Sequence, residues 1–285
     1  MNRNALQIIF QDVDGCLNPA DGEEFGVDPL WEPSLTQIEM FKAIDRAVDA
    51  SPLLHFVINT GRFEPILGNI VKHFRSPKLR YLVMEHGCVI HDRKTGTDLD
   101  LESVARACGM HQLADRCANL DTMRKLLQWY DVRGEAEMKR LYGVPMPRLD
   151  KIGNLSYAVP HGVDGEDVLT HIEALVHEDF TVAELQQLEF CRSDRFIDIL
   201  PGIHKMDGIE LICAYLSIDL RNALAVGDFL NDLSVFEAFD QVMCPANAHP
   251  QIIDLTRSKG DSGHISAFPY GAALLDFLDS MRSTS

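Results

Sequence analysis

The sequence predicts an α/β chain: a doubly wound parallel-sheet (Rossmann-like) core with an inserted α+β cap domain. Three observations carry this. Short apolar runs of strand length recur along the 285 residues, helical patterns alternate with them, and the alternation breaks in the middle of the chain. Strand alternating with helix is the pattern of a parallel sheet covered on both faces.

The first run, residues 6–10, is almost continuously apolar and delivers Gln11-Asp12-Val13-Asp14-Gly15-Cys16 at its end. Ser34 and Gln37 have capping-box spacing, and Ile38, Phe41, Ile44 and Val48 then recur at helical intervals. Residues 53–58 read as the second strand, 63–74 as the helix after it, and Tyr81–Met84 as the third strand. Further on, a helical pattern at 206–216 precedes the strand Ala223–Val226, and one at 232–239 follows it. Residues 241–243 form another short apolar run. Between about 97 and 201 the pattern changes to two helical stretches, a strand at 155–159 and a helix at 166–177. Two strand-like runs, 187–191 and 195–200, are joined by Ser193-Asp194 as a hairpin. The expected organisation is a core of 1–94 and 200–285 with a cap of 95–199.

Bulk properties narrow the function. Hydrophobic residues make up 46% and charged ones 24%, ordinary for a globular chain. No apolar run is long enough to span a bilayer, and residues 1–5 lead into a strand without a signal-peptide pattern, so a cytoplasmic location is expected. The formal net charge of −17 repels nucleic acid and anionic membrane, so neither is an expected partner. It also repels a phosphorylated substrate unless local positive charge intervenes. Seven scattered cysteines without a CxxC pair read as reduced thiols, and the eleven histidines show no metal-binding spacing.

Chemistry is expected beyond the carboxyl ends of the strands, where open α/β sheets bind ligands. The first strand delivers Asp12 and Asp14 there. Carboxylates so close repel, so one must lose its charge, bind a cation or do chemistry; an Asp-rich turn is the bland alternative. The second strand ends in Asn59-Thr60-Gly61-Arg62, a hydroxyl and amides suited to an oxyanion. The strand 223–226 ends in Gly227-Asp228-Phe229-Leu230-Asn231-Asp232, and Lys205 stands just before the helix leading into it.

These pieces, in this order, resemble the motifs of the haloacid dehalogenase superfamily: a DxDG strand end, a Thr strand end, a lysine and a GDxxND loop. The stretch Glu85-His86-Gly87-Cys88-Val89-Ile90 is similar to the Glu-Asn-Gly segment before the cap in the Cof-type branch, which includes sucrose phosphatase and mannosyl-3-phosphoglycerate phosphatase. The resemblance covers the core. It implies a phosphatase with Asp12 as nucleophile, Asp14 as acid–base catalyst, and Thr60 and Lys205 at the phosphoryl group. Gly61, Arg62 and Asn231 are expected to assist in binding. Mg²⁺ is implied, held by Asp12, the Asp14 carbonyl and Asp228, with Asp232 supporting the metal or anchoring Lys205. For Asp232 a plain helix N-terminal acid is the alternative, and Asn231 either orients Lys205 or is an ordinary N-cap. Cys16 departs from the usual Thr. In the cap, Lys151, Arg192 and Arg195 are candidate contacts for an anionic substrate. The implied substrate is a small phosphorylated metabolite, with a sugar phosphate the leading example. A phosphomutase with the same residues and a non-catalytic phospho-ligand sensor are the alternatives, and the residues leave the oligomeric state open.

Overall fold

The structure is a computed structural model and describes residues 6–18, 32–192 and 196–282. The chain divides into two compact units, one of residues 1–99 and 205–285, the other of 100–204. In chain order the strands are β1 (Ile8–Gln11), β2 (His55–Asn59), β3 (Tyr81–Met84), β4 (Val89–Asp92), β5 (Thr97–Asp98), β6 (Leu155–Ala158), β7 (Glu189–Arg192), β8 (Phe196–Leu200), β9 (Ala223–Val226), β10 (Gln241–Cys244) and β11 (Gly263–Ile265).

The first unit is built on one sheet of order β11-β10-β9-β1-β2-β3-β4-β5. From β11 to β3 every neighbour is parallel; β4 and β5 complete one edge antiparallel. Alternation along the strands explains why the runs are apolar throughout. Ile9, Phe56, Ile58 and Leu224 turn to one face and pack with Phe41, Ile44 and Phe277. Ile8, Phe10, Val57 and Ala225 turn to the other and are equally buried, Phe10 meeting the edge of Phe239 at 6.3 Å between ring centroids. The chain leaves β1 for β2 on one side and returns as β9 on the other. That reversal marks β1 as the switch point where such sheets bind ligands.

The capping box is present. Ser34 Oγ accepts from the Gln37 amide at 3.3 Å, Gln37 Oε1 accepts from the Ser34 amide at 2.6 Å, and the helix runs Leu35–Ala50. The helix after β2, Glu64–Val71, is shorter than its pattern because residues 72–74 turn. Strands β4, β5 and β11 and the helices Pro250–Ser258 and Tyr270–Arg282 were not legible in the sequence.

The second unit has a sheet of order β6-β8-β7, all antiparallel. Tyr130 stacks on Tyr157 in its core, 5.2 Å between centroids, and donates its hydroxyl to the Met146 carbonyl at 2.6 Å. Where two helical stretches were expected before β6, four helices occur: Leu101–Ala107, His111–Arg116, Asn119–Trp129 and Glu135–Tyr142. Gly109, at φ +76°, separates the first two of them, since only glycine takes that conformation without strain. The Ser193-Asp194 turn and Arg195 lie outside the described residues. Among the described residues no helix is long and apolar enough to cross a membrane.

Candidate active site

Strand register assembles the site. Gln11 lies beside Ile58 of β2 and Val226 of β9, so all three chains leave the sheet at one level. The Asp12 amide still donates to the Val226 carbonyl at 3.0 Å, and the Thr60 amide to Val83 at 2.9 Å. The chain then turns sharply, with Leu17 and Asn18 amides both donating to the Val13 carbonyl (2.8 and 3.1 Å) and Gly15 at φ +70°. A Cβ on Gly15 would sit 1.8 Å from Asp228 Oδ2, and one on Gly227 2.5 Å from Asp232 Oδ2. Both glycines are required because carboxylates press directly on their backbones.

One carboxylate oxygen each from Asp12, Asp228 and Asp232 falls within a 4.8 Å cluster. Lys205, the first residue of the helix Lys205–Leu216, reaches into it: Nζ lies 3.1 Å from Asp12 Oδ1 and 2.8 Å from Asp232 Oδ1. All four side chains are buried. Asp232 Oδ2 also accepts from the Asp228 amide at 3.2 Å. Asp232 stands at the N-cap of the helix Leu233–Ala238 without capping it, its oxygens going to Lys205 and Asp228 instead.

Three acids facing one ammonium leave excess negative charge in a buried place. Burial pushes the Asp12 carboxyl well above the ordinary carboxylate range. Lys205 opposes the rise, while Asp232, Asp228 and Asp14 add to it. Asp228 is pushed up to about 7 by burial and by Asp232, against the pull of Lys205. For Lys205 burial works downward, but Asp12 and Asp232 outweigh it and hold the ammonium above its usual value.

Asp14 behaves differently from its neighbour. Its carboxylate is 42% exposed and gripped by Arg62, whose Nε donates to Oδ2 at 2.8 Å. Thr60 is fully buried, and its Oγ1 accepts from the Arg62 amide at 3.2 Å. Asn231 is exposed, and Lys205 pairs with Asp12 and Asp232. In the second unit Lys151 is buried, 3.6 Å from an Asp198 carboxylate oxygen, and Arg192 pairs with Glu166 at 2.8 Å. Both are engaged within their own unit.

Three contacts had no sequence signal. Cys16 Sγ donates to Asp228 Oδ1 at 3.6 Å, Asn247 Nδ2 donates to the Gly15 carbonyl at 2.8 Å, and the His249 amide donates to the Asp228 carbonyl at 2.8 Å. The last two residues lie beyond β10, far from any motif.

The donor set fits a hard divalent cation. Its side chains offer carboxylate oxygens only, and three buried acids there face one ammonium.

Residues 166–262 match the model of the haloacid dehalogenase-like hydrolase family. The fold is that of these hydrolases. A crystal structure of a Thermoplasma acidophilum protein superposes with a TM-score of 0.60 at 15% identity, covering 97% of this chain and 98% of that one. The sucrose-phosphatase of Synechocystis, solved with sucrose and phosphate, gives 0.58 at 16% identity over 97% and 98%. A Plasmodium vivax haloacid dehalogenase/Cof-like hydrolase gives 0.59 at 14% identity over 99% and 97%. At such identities the likeness is one of fold. A provisionally assigned phosphatase of Metamycoplasma hominis is 43% identical over 51 residues, a match spanning 18% of this chain and 18% of that protein. The order of motifs, the family match and the fold all resemble haloacid dehalogenase-like hydrolases of the Cof type.

Proposed function

We propose that this haloacid dehalogenase-like chain is a Mg²⁺-dependent phosphomonoesterase acting on a small phosphorylated metabolite, with a sugar phosphate as the leading candidate. One observation carries the reading: Asp12 is buried at the switch point, 3.1 Å from Lys205, while Asp14, two residues on, stays accessible in the grip of Arg62. Two carboxylates at one strand end thus occupy different environments, which suits different roles.

Asp12 is the nucleophile. Its oxygen forms a bond to phosphorus as the bond to the leaving alcohol breaks, giving an aspartyl-phosphate. Asp14 gives the leaving alcohol its proton, then takes one from the water that attacks phosphorus. Thr60 accepts from the Arg62 amide, which leaves its own O–H to donate to a phosphoryl oxygen. Lys205 offsets charge that develops in the transition state, and Asp232 positions it. Mg²⁺ held by Asp12, Asp228 and the Asp14 carbonyl would supply the positive charge that a net −17 denies an anionic substrate. Lys151, Arg192 and Arg195 are proposed contacts for the rest of the substrate.

Phosphate release from a panel of phosphate monoesters, with and without Mg²⁺, tests this. Metal-dependent release from at least one ester is expected. A panel with no release, or with phosphate only moved within the substrate, would overturn it.

A further inference from the structure

Beyond the motifs, one short segment touches two elements of the candidate site. Glu85, His86 and Gly87, directly after β3, have successive φ values of +50°, +59° and +99°. Two consecutive non-glycine residues in the left-handed region are unfavourable, and such conformations persist only where surrounding contacts over-determine them. Those contacts are visible. The Glu85 amide donates to the Arg62 carbonyl at 3.0 Å, and the His86 amide to the Thr60 carbonyl at 3.3 Å. The imidazole of His86 lies directly against Gly61: a Cβ there would come within 2.6 Å of Cε1 and 2.7 Å of Nε2. On the other side, a Cβ on Gly208, in the helix that begins with Lys205, would meet the Gly87 Cα at 3.2 Å.

We infer that Glu85–Gly87 is a clasp and His86 a positioning residue, holding the Thr60-Gly61-Arg62 loop at a fixed place relative to the Lys205 helix so that both meet one phosphoryl group. The inference rests on the phosphatase reading of that site. Strain in the clasp is held by bonds to the loop on one side and by close packing on the helix on the other. Gly61 is glycine because the imidazole fills the space of its side chain. Its φ lies outside the left-handed region, so alanine there meets an obstacle in His86 rather than in its own backbone.

A double-variant cycle tests this. Gly61→Ala pushes the ring away, and His86→Asn removes the ring while keeping a residue that tolerates a left-handed backbone. Both singles should weaken competitive inhibition by inorganic phosphate by about tenfold, and the double variant should be no worse than the poorer single, because both remove one contact. Melting curves confirm that each variant is folded. Effects that multiply in the double variant overturn the clasp. So does a lowered melting temperature with phosphate inhibition unchanged, the mark of a merely structural role. A wild-type enzyme that hydrolyses no ester and is not inhibited by phosphate overturns the phosphatase reading and the positioning role together. Active wild type with additive variants overturns the clasp alone.

Discussion

Two residues apart, Asp12 and Asp14 are treated oppositely by the fold. Asp12 is sealed among Lys205, Asp228 and Asp232; Asp14 reaches outward to Arg62. Asp12→Asn should therefore abolish turnover while the fold persists, as the shape is kept and the nucleophile lost. Asp14→Asn should lower kcat by roughly 10²–10⁴-fold, the usual worth of a positioned acid–base group. Steady-state assays on folded variants check both. Lys205→Met leaves Asp12 and Asp232 buried without their cation. Breaking a buried pair on one side typically costs about 3–5 kcal/mol, so chemical denaturation at neutral pH should show a fall of that order, recovered in part as acid protonates the orphaned carboxylates.

At the scale of elements, the strands that deliver Asp12, Thr60 and Asp228 were legible in the sequence, because burial on both faces writes them as nearly unbroken apolar runs. Strands with few apolar residues were not. β4, Val-Ile-His-Asp, offers only two apolar residues, and β11, Gly-His-Ile, offers one. The motif residues were legible by order and spacing, whereas Cys16, Asn247 and His249 depend on tertiary approach that spacing does not encode. The turn after β1 shows the same limit. Gly15 is an ordinary turn residue by sequence, but the structure shows Asp228 occupying the place of its side chain. Gly15→Ala should cost about 1–2 kcal/mol from its φ of +70° alone, more from the collision, and should depress metal-dependent activity with it. Denaturant melts and Mg²⁺ titrations of the variant measure the two effects.

For the whole molecule, the acid cluster links stability to pH. Asp228 in the folded chain binds its proton up to about pH 7, while in the unfolded chain it releases it near 3.8. The folded state thus holds more protons in that window, and stability without metal should fall as pH rises through it and level off above about 7. A bound cation reverses the preference. The rise in melting temperature on adding Mg²⁺ should accordingly be larger at pH 8 than at pH 5.5; thermal melts at both values check this, and equal shifts would count against Asp228 as a ligand. All the groups assigned to chemistry lie in the unit of residues 1–99 and 205–285. Replacing 100–204 by a short Gly/Ser linker should keep turnover of an activated aryl phosphate within about tenfold, roughly 1.4 kcal/mol in barrier, while the natural substrate loses far more. Circular dichroism and gel filtration must first show a folded core.

The central claim is that Asp12 carries the phosphoryl group. It is tested most directly by quenching the enzyme during turnover, reducing with borohydride and sequencing the peptide that contains residue 12 by mass spectrometry. An acyl phosphate is reduced to an alcohol, so Asp12 should be converted to homoserine only when substrate and Mg²⁺ are both present, with Asp14 unchanged. An enzyme that turns over substrate yet shows Asp12 intact, or the reduction at Asp14 instead, would contradict the account.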